Sequence, residues 1–368
     1  MARILVSGAV ANKPYSGGEA WVRLSWLRGL RQLGHEVCFV EQIESADPVA
    51  LETFRVAVSM LAPDCPVALL CGGDSVYGLT SEEAAEWARR ADLLVNISGH
   101  LAIEAIKEGP RRRAYIDVDP GFTQIWAEQG AAQLEGHDSY FTVGERIGMP
   151  GCSIPTAGVE WLPLPPPVTL ADWPVHPTPS GARFTTVATW RSPLGTLASG
   201  ETTFEGKHHQ WRRLAHLPRR AEGEFEIALQ IYEDDEADRI ALEAAGWHLV
   251  DPVEAAGDPL AFRSYVQGSA AELSVAHPVY VETASGWVSD RTVRYLASGR
   301  PALVQDTGIG DRYPLGEGLL TFRTFDEAVA GAEAIAGDYQ AHARAARALA
   351  EAHFDSDRVL GRFLEAAL

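Results

Sequence analysis

The sequence predicts an α/β protein built as two doubly wound halves, and three observations predict it. Short apolar runs alternate with amphipathic stretches through roughly the first 150 residues, and the same alternation restarts near residue 184. Between them, residues 155–179 hold eight prolines, including Pro165, Pro166 and Pro167. Strands alternating with helices imply a mostly parallel sheet covered on both faces. Proline at this density stops helices and central strands, so it marks a joint.

In the first half, residues 4–7 form a short apolar strand, followed by a loop carrying Gly17 and Gly18. Trp21, Leu24, Leu27 and Leu30 recur at three- to four-residue spacing, which predicts a helix over 20–33 with Gly34 as its C-cap. Residues 37–41 and 67–71 are the next strands, and Ser81 caps a helix over 81–90. Runs 93–97, 113–118 and 140–143 continue the strand series. In the second half, strands are expected at 184–190, 226–232, 248–250, 279–282 and 302–305. Helices are expected at 208–217, 236–245, 262–269 and 291–298, and a helical tail at 325–335, 339–353 and 356–368. The expected domains are 1–160, a proline-rich linker at 161–180, a second domain at 181–352, and a terminal helix at 353–368 that packs back on the first.

The chain has 368 residues, 31 basic against 50 acidic, for a net charge of −19. So negative a surface repels polyanions, and nucleic acid and membrane are excluded as expected partners. An anionic ligand then needs a local cluster of cations. The four cysteines, Cys38, Cys65, Cys71 and Cys152, show no zinc spacing and suit a reducing cytoplasm. No apolar run approaches the ~18 residues of a membrane helix, and residues 1–11 read as a buried strand rather than a leader.

Two segments carry a family resemblance. Residues 285–310 read SGWVSDRTVRYLASGRPALVQDTGIG, and Gly17-Gly18-Glu19 leads to Gly34-His35-Glu36-Val37. The first resembles the donor-binding segment of GT-B-fold glycosyltransferases, with Ser298-Gly299-Arg300-Pro301 as its Gly-x-Pro element; the second resembles that fold's opening. The resemblance implies two Rossmann-like domains facing across a cleft, a C-terminal helix crossing back, and a nucleotide-diphosphate sugar as co-substrate without a metal or other cofactor.

The same resemblance implies a set of site residues. Ser289 caps a helix opening at Asp290-Arg291, whose free N–H groups suit a diphosphate, and Gly286 lets backbone approach it. Arg191 and Lys207 stand where the family's diphosphate-binding cations stand, Asp306-Thr307-Gly308 beside the donor's phosphate or sugar, and Val250 beside the base. Gly17 and Gly18 let the first loop approach the donor. His100 and Asp119, each after a first-half strand, are the candidate catalytic bases. One departure stands out: the paired glutamates of many retaining members fall on Gly286 and Arg294 here, leaving stereochemistry open. An epimerase of the same fold and a catalytically silent nucleotide-sugar-binding partner are the rival readings.

Overall fold

The computed structural model describes residues 1–132, 134–192 and 194–368. The first half runs β1 (Arg3–Ser7), α1 (Gly17–Gln32), β2 (Glu36–Ile43), α2 (Pro48–Leu61), β3 (Val67–Cys71), β4 (Asp74–Gly78), α3 (Ser81–Arg89), β5 (Leu93–Ile97), α4 (Glu104–Lys107), β6 (Arg112–Asp117), α5 (Phe122–Glu128), β7 (Ser139–Thr142) and β8 (Trp161–Pro163). These strands form one sheet in the order β4-β3-β2-β1-β5-β6-β7-β8, parallel throughout except for β4 at the edge. Strand order reverses between β1 and β5, and their carboxyl ends open a crevice there.

The second half runs β9 (Phe184–Thr189), β10 (Leu197–Ser199), β11 (Thr202–Phe204), α6 (His208–Arg213), β12 (Phe225–Gln230), α7 (Glu236–Ala245), β13 (His248–Val250), α8 (Pro252–Ala256), α9 (Pro259–Gly268), β14 (Ala271–Ser274), α10 (Pro278–Glu282), α11 (Asp290–Ala297), β15 (Ala302–Gln305), β16 (Leu319–Phe322), α12 (Phe325–Gly337), α13 (Tyr339–Leu349) and α14 (Ser356–Ala367). Its parallel sheet is ordered β13-β12-β9-β14-β15-β16, with the reversal between β9 and β14. The central strands are buried on both faces, which accounts for their continuous apolar runs.

After α13 the chain widens into a π-helical turn over Ala350–Phe354 and returns to the first half. Val168 and Asp355 form a parallel bridge, with Val168 N–H donating to Phe354 O at 2.9 Å and Ser356 N–H to Val168 O at 2.9 Å. α14 then lies on α1, where Phe363 meets Trp26 edge-on at 5.0 Å and Phe141 at 4.8 Å.

Three local expectations change. The apolar run 279–282 is a helix, α10, because Pro278 occupies its first turn and the His277 side chain caps it. The strand expected there is β14, whose sequence AELS looked polar; Glu272 within it is fully buried against Arg291. Residues 161–163 are not linker but the edge strand β8, paired with β7.

Candidate functional site

The carboxyl ends of β1, β6, β9 and β14 face a cleft between the halves. A cavity of about 320 Å³ occupies its centre, and a second of about 680 Å³ continues outward along β12 and β13. Glu19, Thr189, Lys207, Asp290 and Arg291 border both, so the two form one path. Five cations (Lys13, Arg23, Lys207, Arg291 and Arg294) and three carboxylates (Glu19, Asp119 and Asp290) line the central cavity. A cation excess in this cavity stands against a chain of net charge −19.

Each charge has a local reason. Arg291 is tied into the second sheet: Nε donates to Glu272 Oε1 at 2.7 Å, one terminal nitrogen to Val187 O at 2.9 Å, and the other to Ser274 Oγ. Ser289 accepts from Arg291 N–H at 3.2 Å and sets the start of α11, whose positive dipole end faces the cleft. Lys207 lies at the start of α6 and has no carboxylate partner among the described residues. Burial, with Arg291 adding to it, pushes its ammonium down to about 8.

Across the cleft, Arg23 is 4% exposed and paired with Glu19 one turn earlier on α1. Burial works against the Glu19 charge, but Arg23 and Lys13 outweigh it and hold the carboxyl below its ordinary range. Asp119 follows β6 on a loop organised by the buried Asp117, which accepts from Asp119 N–H at 3.0 Å, Thr123 Oγ1 at 2.7 Å and Gln124 Nε2 at 2.8 Å. Burial, then the charges of Glu19 and Asp117, raises the Asp119 carboxyl to about 6.

The structure therefore brings Asp119, Lys207, Ser289, Asp290 and Arg291 together in the central cavity, and Gly18 and Val250 into the outer one. Other expected residues stand elsewhere. Arg191 is half exposed and held by both oxygens of Asp235, at 2.6 and 2.7 Å, outside both cavity walls. Asp306 is likewise taken by Arg323 at 2.6 Å and by Gly308 N–H at 2.8 Å. His100 sits near Arg23, Lys13 and Glu19 without lining either cavity, and burial lowers its imidazole to about 4.

Gly17 meets the second half rather than a ligand: a Cβ there would overlap the Asp258 carbonyl. Gly286 (φ +73°) and Gly308 (φ +85°) flank the Arg146 side chain, which a Cβ would meet at 2.7 and 2.6 Å. Thr307 ties the two loops together: its Oγ1 donates to Trp287 O at 2.7 Å and its carbonyl accepts from Gly286 N–H at 2.8 Å. These loops thus clasp a first-half arginine.

Sequence reasoning missed Lys13, Glu19, Arg23, His277 and Tyr280 as cavity residues. The Glu19 and Arg23 pair breaks the apolar face that holds Trp21, Leu24 and Leu27, a signal that was present. Arg294, where the resemblance implied the second glutamate of retaining members, is 1% exposed, pairs with Asp290 at 3.1 Å and reaches Ser25 Oγ at 3.3 Å. It joins the halves instead of presenting a carboxylate.

No family model and no curated protein sequence matches the chain. Solved structures do. An alpha-glucosyltransferase in complex with UDP and a 13-mer DNA superposes over the whole of both chains at 10% identity, with a TM-score of 0.62. AviGT4, a glycosyltransferase involved in avilamycin A biosynthesis, covers 100% of this chain and 97% of its own at 16% identity and a TM-score of 0.57. Anabaena Alr3699/HepE in complex with UDP-glucose covers 100% and 99% at 13% identity and a TM-score of 0.61. The chain therefore has the GT-B fold of these glycosyltransferases.

The first of these corrects the inference from net charge. That protein carries DNA beside UDP on the same fold, so nucleic acid is not excluded as a partner. Net charge sums the whole surface, whereas an interface is local. Among the described residues, no helix is long and apolar enough to cross a membrane.

Proposed function

We propose that the protein is a glycosyltransferase that moves a sugar from a nucleotide-diphosphate donor to an acceptor within the cleft. The observation that carries this reading is the cation cluster of Lys207, Arg291 and the α11 N-terminus, set at the strand-order reversal of the second sheet inside a strongly acidic chain. A diphosphate there meets fixed positive charge, and the outer cavity beside Val250 accommodates the nucleoside.

In this reading the breaking bond joins the sugar's anomeric carbon to the β-phosphate oxygen. Negative charge grows on the departing nucleoside diphosphate, and Lys207, without a carboxylate partner among the described residues, is the donor-side cation that follows it. Arg291, already bonded through all three guanidinium nitrogens, fixes the frame around it. Asp119 faces this region from the first half, with a carboxyl ionised above pH 6, and serves as the base for the acceptor hydroxyl. The charge on the leaving group is met by protein cations without a metal. The acceptor approaches along the first-half wall, past Trp26 and Pro165–Pro167.

Thermal shifts against a panel of nucleoside diphosphates and their sugars test the proposal, because a ligand bound only by the folded state raises the midpoint. UDP comes first, since two of the three solved neighbours above were captured with UDP or UDP-glucose. A selective upward shift is expected. The absence of any shift, repeated by calorimetry, overturns the donor site.

A further inference from the structure

His277 is 5% exposed, lines the central cavity and belongs to no role assigned so far. Its two ring nitrogens differ. Nδ1 accepts from Val279 N–H as the cap of α10, at 3.4 Å. An acceptor at Nδ1 in the neutral ring places the hydrogen on Nε2. Nε2 is buried and has no hydrogen-bond partner among the described residues. The imidazole cannot escape the problem by ionising: burial, with Lys207 adding to it, lowers it to about 4. A buried donor of fixed tautomer, beside a lone ammonium in a ligand-sized cavity, is a group waiting for an acceptor oxygen.

We propose that His277 is a neutral hydrogen-bond donor to the diphosphate of the nucleotide donor, acting beside Lys207. The inference rests on the donor site argued above. Its chemistry complements the lysine: Lys207 supplies a point charge, and His277 supplies direction without adding a second buried cation. The ring is held for that purpose. Phe122 of the first half stands edge-on to it at 4.8 Å, and Tyr280 flanks it at 6.0 Å. Phe122 belongs to the first half, so one of the contacts that hold the ring crosses the cleft.

Two substitutions separate the ring's two duties. Asn reproduces the Nδ1 position, so His277→Asn keeps an acceptor for the α10 cap and removes the cleft donor. Gln reproduces the Nε2 position, so His277→Gln keeps the cleft donor and gives up the cap. Nucleoside diphosphate affinity is measured by calorimetry, with the thermal midpoint of the free protein followed in parallel. His277→Asn is expected to bind roughly five- to tenfold more weakly at a near-native midpoint, and His277→Gln to bind more tightly than Asn despite a lower midpoint. Wild-type affinity in the Asn variant overturns the proposal and leaves Nε2 to an N–H···π contact with Phe122. Weakening in both variants in step with their midpoints also overturns it, since only the cap would then matter. Failure of the wild-type protein to bind any nucleoside diphosphate removes the donor site itself, which is a different result.

Discussion

Replacing Lys207 by Met is expected to do two opposite things, and the opposition is the test. An isolated lysine titrates at 10.5, whereas this one is held at about 8 by burial first and by Arg291 second. Between those two values the unfolded chain binds more protons than the folded one, so this group's contribution to stability rises as pH climbs from about 8 to 10.5. Below 8 the full cost of keeping the ammonium charged is borne by the fold. Met has similar length and no charge, so Lys207→Met relieves that cost. The shift sets the ceiling, and partial contact with water lowers it, giving a gain of roughly 1 to 3 kcal/mol at pH 7. The same substitution removes a donor-side cation that is unpaired among the described residues and is expected to weaken nucleoside diphosphate binding by roughly 10- to 100-fold. In the wild-type protein, affinity is expected to be level between about pH 7 and 7.5, where the terminal phosphate is fully ionised, and to fall above about pH 8 until it reaches the level of Lys207→Met. Lys207→Arg, charged at every accessible pH, removes that fall. Differential scanning calorimetry and titration calorimetry read the two halves of the prediction. A lower midpoint for Lys207→Met, or unchanged affinity, refutes the reasoning: the ammonium would then be held by contacts of its own rather than kept for a ligand.

Further outcomes are expected from other residues. Arg191→Ala leaves nucleotide affinity at the wild-type value, because Asp235 already holds the guanidinium; a loss above about threefold by calorimetry contradicts this. Asp119→Asn lowers turnover by about 10²-fold or more while nucleotide affinity stays level, and wild-type kcat/KM falls as pH drops through about 6. Gly17→Ala places a methyl on the Asp258 carbonyl and destabilises by about 1 to 3 kcal/mol, measured by denaturant unfolding.

The alternation of strands and helices was legible because central parallel strands are buried on both faces, as with 93–97 and 184–190. Segment 279–282 misled for the converse reason: Val279, Tyr280 and Val281 favour strands, but Pro278 and the capping imidazole set a helix start that propensity alone does not see. Strand β14 was hidden by Glu272, a charge whose partner Arg291 lies 19 residues on and is brought to it only by folding. The site was legible on the donor side, where a helix start and its cap are contiguous in sequence. It was illegible where ion pairing decides availability. Arg191 and Lys207 look alike as letters; Asp235 pairs with the first, and among the described residues no carboxylate pairs with the second. His277 was invisible because its meaning depends on which nitrogen the α10 cap consumes.

The return of α14 to α1 has a consequence for the order of events during synthesis. The groove on the first half that receives Phe363 is lined by Trp26 and Phe141, which leave the ribosome more than 200 residues before the ring that covers them. Until then an apolar stripe on the nascent chain faces water or a chaperone. The second half, whose sheet is complete at β16, can close before the first is sealed. Cleavage after Phe354 would therefore leave the later-made half folded and the earlier-made half open, reversing the usual rule that damage near a chain's end spares its beginning.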